Sequence, residues 1–169
     1  MISLFGYDPK GDYQRVTREF AGRRINLALP EESLLLTKTI GTVPHTGGKL
    51  FEKDSPFYST LLEWIKDGAN YDPAEIALPV KIEVEPKEFL LEGSGKDIPL
   101  TVKATYSDGT DRDVSTLSNY TSSNDNSISV DASSGVTSSK TQGEAFLMAR
   151  FHTFTEGSMA IVIPEGLKY

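Results

Sequence analysis

Cysteine is absent from this 169-residue chain, and histidine occurs only at positions 45 and 152. The first absence excludes disulfides, thiolate nucleophiles, zinc–thiolate sites, iron–sulfur clusters and thioether attachment of haem. The scarcity of histidine leaves little from which to build a nucleophile–base couple. There is also no Gly-x-Ser-x-Gly elbow and no glycine-rich phosphate loop. Carboxylates are plentiful, but nothing in their spacing sets two of them across a cleft as glycoside hydrolysis requires. No catalytic residue is therefore nominated, and the chain is expected not to be an enzyme. No run approaches the roughly 18 consecutive apolar residues of a membrane helix. The opening Met1-Ile2-Ser3-Leu4 has neither the basic region nor the apolar core of an export signal. It reads as the interior of a folded segment, so the expectation is a piece of a longer chain.

Charge is unevenly distributed. The whole chain carries −7, yet residues 1–70 hold nine basic and nine acidic side chains, whereas residues 71–169 hold eight against fifteen. An acidic second half repels polyphosphate, which argues against a nucleic-acid partner.

The first 70 residues read as short helices. In Asp12–Phe20, Tyr13, Val16 and Phe20 fall at helical spacing, with Asp12 as N-cap and Gly22 just beyond the end. A second helix is predicted from Pro30 or Glu31 to Ile40, burying Leu34, Leu35 and Leu36. A third runs from Pro56 to Lys66: Ser55 caps it, Phe57, Leu61, Trp64 and Ile65 form its apolar face, and Gly68 ends it. Between the last two, Thr42-Val43-Pro44-His45-Thr46-Gly47-Gly48 is a loop. Residues 71–79, with Pro73 and Pro79, read as a linker.

Period-two patterning begins at once after it. Val80, Ile82 and Val84 alternate with charged residues, as do Ile98, Leu100, Val102, Ala104 and Tyr106 with Pro99, Thr101, Lys103 and Thr105. Asp108-Gly109 marks a hairpin, and further strands are predicted at Ser127–Val130, Glu144–Phe151 and Ser158–Ile163. Short strands at turn-punctuated intervals indicate a β-sandwich over residues 80–169, with Leu100, Val102, Ala145, Leu147 and Ala149 facing the core. The expected class is α+β, a small helical N-terminal segment followed by an all-β immunoglobulin-like sandwich.

The words Ala104-Thr105-Tyr106-Ser107-Asp108-Gly109-Thr110, Tyr120-Thr121-Ser122-Ser123-Asn124, Gly135-Val136-Thr137 and Gly143-Glu144-Ala145-Phe146-Leu147 come in an order that resembles the group-two bacterial immunoglobulin-like domains of surface adhesins. Tyr120 stands where such domains usually carry Trp. The N-terminal words Ser3-Leu4-Phe5-Gly6-Tyr7-Asp8-Pro9, Gly22-Arg23-Arg24-Ile25-Asn26, Pro44-His45-Thr46-Gly47-Gly48 and Leu62-Glu63-Trp64-Ile65 resemble the cytochrome-c-associated region of large secreted proteins of Planctomycetes. That resemblance implies a Cys-x-x-Cys-His motif upstream, which this chain lacks. It makes His45 a candidate axial haem ligand in a complete parent protein, and Trp64 a residue lining such a pocket. In this chain no cofactor and no metal is expected.

The remaining candidates have simpler readings. His152 suits a turn at a strand end. Asp108, Asp111, Asp113, Asp125 and Asp131 invite a calcium reading, but their spacing is not that of an EF-hand loop and the ends of a sandwich explain them. Arg15, Arg18, Arg23 and Arg24 are matched by nearby acids. Asn119-Tyr120-Thr121 is a glycosylation sequon of a kind frequent by chance. The resulting expectation is a non-catalytic structural, adhesive or domain-positioning module, monomeric, without a membrane span, in a secreted, periplasmic or cell-surface protein. Its partners would be other domains of the parent chain, a surface protein or a glycan. The alternatives are a carbohydrate- or calcium-binding module and an incomplete cytochrome domain completed by upstream sequence.

Overall fold

A computed structural model describes residues 2–3, 7–20, 22–72 and 75–166. Leu4, Phe5 and Gly6 of the first N-terminal word, Pro73 of the predicted linker and the last three residues lie outside the described residues. The chain divides into two compact units, Met1–Ile76 and Ala77–Tyr169.

The first unit contains helices α1 (Pro9–Thr17), α2 (Leu34–Thr39) and α3 (Pro56–Lys66). Helix α1 starts three residues before the predicted start because Asp8, not Asp12, is its cap: the Asp8 carboxylate accepts the Gly11 N–H at 3.0 Å. Pro9 follows at the first position, where its missing N–H costs nothing. Asp12 instead accepts the Ser3 N–H and hydroxyl and the Arg15 guanidinium. The helix also ends early, because Phe20 adopts φ +53° and is 68% exposed.

The predicted second helix is broken at Ser33 into a single 3-10 turn, Pro30–Glu32, and α2. Ser33 is fully buried and its hydroxyl accepts the Asn26 N–H at 2.9 Å. The first N–H groups of α2, on Leu34 and Leu35, donate to the carbonyls of Arg23 and Arg24. Helix-end donors that lack intrahelical partners are thus consumed by the preceding segment. Helix α3 has the predicted bounds and cap, with the Tyr58 N–H donating to Ser55 Oγ at 3.2 Å. Its buried side is centred on Tyr58 and Ile65 rather than Phe57. Ile25, Leu36, Tyr58, Ile65 and Ala69 form the small core of this unit.

The second unit is an immunoglobulin-like sandwich of ten strands among the described residues: β1 (Pro79–Glu85), β2 (Glu88–Glu92), β3 (Asp97–Pro99), β4 (Thr101–Tyr106), β5 (Asp111–Asp113), β6 (Asn119–Ser122), β7 (Ile128–Val130), β8 (Val136–Ser139), β9 (Gly143–Phe151) and β10 (Phe154–Ile163). They pair as β1-β4-β5, β2-β10-β9-β6 and β3-β8-β7. All pairings are antiparallel except β2 with β10, which run parallel from Glu88↔Met159 to Glu92↔Ile163.

The single strand predicted through residues 98–106 is divided between two sheets. Pro99 has no N–H for a ladder, and the next N–H, on Leu100, turns to the Gly135 carbonyl at 3.0 Å. Val80 also departs from the alternation: a bulge between Pro79 and Lys81 leaves it 53% exposed, whereas Ile82 and Val84 are buried. One core collects the inward side chains of all three sheets, including the five expected residues Leu100, Val102, Ala145, Leu147 and Ala149.

Tyr120 sits at the centre of that core, with its hydroxyl donating to the Ser115 carbonyl at 2.9 Å. Gly135 lies against the ring: a Cβ there would come within 2.6 Å of Tyr120 Cζ, on a backbone at φ +69°. Truncating Leu100 or Leu147 to Ala is expected to lower unfolding free energy in denaturant by about 2–5 kcal/mol. Gly135→Ala should cost at least about 2 kcal/mol, because it adds a left-handed Cβ and an overpacked ring. A loss below about 0.5 kcal/mol in all three would show the core to be wrongly assigned.

Candidate functional site

His45 and Lys38 come together in the helical unit. A cleft of about 640 Å³ is lined by Ile2, Val16, Leu34, Leu35 and Leu50, together with Arg24, Lys38, Thr39, His45 and Gly47. Helix α2 supplies one wall, and the loop after it brings His45 across. Gly47 permits the imidazole to fold back, since a Cβ at that position would stand 2.6 Å from His45 Nε2. His45 Nδ1 is buried and has no hydrogen-bond partner among the described residues, an unmet demand of a kind that folded proteins seldom leave.

Among the described residues the cleft lining contains no carboxylate. Arg24 is already engaged, donating to the Glu19 carboxylate at 2.8 Å and to the Arg15 carbonyl at 2.6 Å. Lys38 forms no ion pair with the described residues. Sequence reasoning missed Lys38, Leu34 and Leu50 because they meet only through the tertiary fold. The one available signal was a lysine on a leucine-rich, half-buried helix.

A haem does not fit the residues present. Among the described residues that line the cleft, His45 is the single His, Met or Cys, and the chain has no cysteine to tether the group. Trp64 is not among the described residues lining the cleft: it packs on the small core and its Nε1 donates to the Asn70 carbonyl at 2.8 Å.

The aspartates are dispersed. Asp108 accepts the Thr110 N–H and hydroxyl, Asp113 those of Ser115, and Asp111 accepts Thr105 Oγ1 at 2.7 Å and Lys103 Nζ at 3.2 Å. Asp125 contributes its carbonyl to Lys140. Asp131 accepts the N–H groups of Ser133 and Ser134 and the Ser133 hydroxyl. Among the described residues no three His, Asp or Glu side chains converge as a metal site. Arg15 bridges Asp8 and Asp12, while Arg18 and Arg23 are exposed. His152 occupies the two-residue β9–β10 turn at φ +54°, beside Thr153 Oγ1 at 3.2 Å.

The outer face of the β2-β10-β9-β6 sheet is the other conspicuous surface. Leu90 neighbours Ile161, and Met159 neighbours Phe146, across the ladders. Leu90 and Phe146 are 54% and 57% exposed. Glu88, Glu92 and Glu144 share this face, each two residues from Leu90 or Phe146 along its strand.

No protein-family model matches the chain, and no curated protein does. Among solved structures it is similar to domains 4 and 5 of the S-layer protein SbsC, at 15% identity and a TM-score of 0.45, over 52% of this chain and 54% of that one. It is also similar to domains 5–6 of the same S-layer protein, at 12% identity and a TM-score of 0.42, over 52% and 45% of the two chains. The chain thus spans about half the length of each of these structures. No helix of the described residues is long and apolar enough to cross a membrane.

The Asp131 turn makes a pH-dependent contribution with a defined sign. Backbone N–H and hydroxyl donors from Ser134 and Ser133 hold this carboxyl down at about 2. The ionised form therefore stabilises the fold fully above the unfolded value of about 4, and that contribution is lost as pH falls toward about 2. Asp131→Asn should melt below the unsubstituted chain at pH 7, with the gap in melting temperature narrowing between about pH 4 and pH 2. A gap that stays constant across that range would show that the charge plays no part.

Proposed function

We propose that the chain is a non-catalytic structural module that positions or displays neighbouring domains of a larger exported bacterial protein, at the cell surface or beyond it. In this reading residues 1–70 form a helical part, 71–79 a linker and 80–169 the sandwich. The observation that carries it is the parallel pairing of β2 with β10. Strand β2 follows the first strand of the sandwich, β1, after two residues, and β10 is the last strand among the described residues. Tension between neighbouring domains would pull the two strands in opposite directions along their own axes. The ladder from Glu88↔Met159 to Glu92↔Ile163 is then loaded in shear, so its bonds share the load instead of opening one by one. That is an arrangement suited to holding domains apart.

Adhesive contact is supported by the apolar outer face carrying Leu90, Met159, Ile161 and Phe146, which offers a neighbouring domain or surface protein something to bury. The calcium-binding alternative has less support, because the aspartate side chains at 108, 111, 113 and 131 are each spent on their own turn or on a strand neighbour. The cytochrome alternative rests on His45 alone and would require a tether from outside this cysteine-free chain.

Single-molecule pulling decides the main proposal, and a cysteine-free chain makes engineered cysteine anchors selective. Force applied through the two ends of the sandwich should exceed that needed when anchors at Lys87→Cys and Gly157→Cys peel the ladder from one end. Equal or lower force through the ends would remove the load-bearing reading. Two ligand measurements accompany it: calcium should leave the melting temperature unchanged, and added haem should give no Soret band that survives gel filtration. A calcium-dependent rise or a retained Soret band would favour the corresponding alternative.

A further inference from the structure

We infer that the cleft of the helical unit is a binding site for a single-chain anionic amphiphile, a free long-chain carboxylate, with the tail on the leucine wall and the head group at Lys38. Three independent features point to this ligand. The cleft, at about 640 Å³, lies within the size range of small-molecule sites, about 300–1,000 Å³, and its walls are predominantly aliphatic. Leu34 is only half-buried and Leu50 is 65% exposed, so both gain burial from a bound alkyl chain.

The polar groups are of one sign. In a chain with net charge −7, the residues lining this cleft include Arg24 and Lys38 and no carboxylate. Glu19 neutralises Arg24, which among the described residues of the lining leaves Lys38 as the cation without an anion. A carboxylate head group completes the pair in a partly dehydrated setting, where charge-assisted hydrogen bonds are strongest.

The third feature is His45, whose ring lines the cleft while its Nδ1 is buried without a hydrogen-bond partner among the described residues. A buried nitrogen left in that state is costly, and a turn of the ring toward a ligand oxygen in the cleft would remove the cost. A cationic amphiphile meets Lys38 with like charge, and a neutral alcohol gives it no counter-charge. Short carboxylates such as acetate satisfy the head-group site but bury none of the wall.

The test is calorimetric titration of the full chain with dodecanoate below its micelle concentration, alongside acetate and dodecyltrimethylammonium. Amide NMR shifts at Leu34, Lys38 and His45 locate the site. Saturable one-to-one binding of dodecanoate is expected, with no measurable binding of acetate and much weaker binding of the cationic chain. Lys38→Gln should weaken dodecanoate about tenfold through the lost charge-assisted bond. Leu34→Glu should abolish binding while circular dichroism remains that of the unsubstituted chain. Leu34 does not belong to the packed core, so this substitution can be read without unfolding. Absence of saturable binding, equal affinity for the cationic amphiphile, shifts confined to the sandwich, or unchanged affinity in Lys38→Gln would each overturn the assignment.

Discussion

Tyr120 is the constraint on which the sandwich depends. Its ring stands on β6 and belongs to the β2-β10-β9-β6 sheet, its hydroxyl reaches the Ser115 carbonyl in the turn after β5, and its face rests on Gly135 between β7 and β8. The segments that follow β5 and β7 thus both meet this one side chain. The backbone repeats the connection, since the Tyr120 N–H donates to the Ala132 carbonyl and the Leu100 N–H to the Gly135 carbonyl. A phenol does here what a larger indole could not do without moving Gly135. Burial raises the Tyr120 hydroxyl above its ordinary range, while its hydrogen bond keeps the buried oxygen satisfied.

A sandwich without disulfides must fix its loops by other means. In this one, Asp108, Asp113 and Asp131 each accept bonds from residues two or three positions later, which closes the turn on itself. Those carboxyls are held below the ordinary carboxylate range by the same donors. The surface thus stays acidic over the whole physiological range, and of the acids that suggested a cation site, Asp108, Asp111, Asp113 and Asp131 are already bonded within the protein.

Local signals were legible and long-range ones were not. Ser55, Pro56 and Gly68 each bear on their own few residues, so α3 could be read to its ends. The alternation at Leu100–Tyr106 and Glu144–Phe151 likewise marks its own buried face. The division of residues 97–106 between two sheets depends on a carbonyl at Gly135, and the pairing of β2 with β10 joins segments some seventy residues apart. Nothing in either segment states its partner. The start of α1 fell between two aspartates, and Pro9 decided for Asp8 because the first turn was already defined by it. For the cleft, His45 was visible as an unusual loop residue, whereas Lys38 gained significance only when the fold placed it beside an aliphatic wall.

The two units handle their polar groups in opposite ways, and this bears on where recognition resides. In the sandwich, the buried hydroxyls of Ser118, Thr137, Ser139 and Ser158 each donate to a backbone carbonyl, so its interior is closed to further partners. Buried polar atoms that are fully bonded rigidify a core without inviting a ligand. What the sandwich leaves exposed is an apolar sheet face, suited to broad contact rather than to enclosure. The helical unit has a smaller core, leaves leucines half-covered along α2, and keeps one buried imidazole nitrogen unbonded. A fold that resolves every polar demand in one unit and leaves one unmet inside an apolar cleft in the other has divided its work: holding belongs to the strands, and selective binding to the helices.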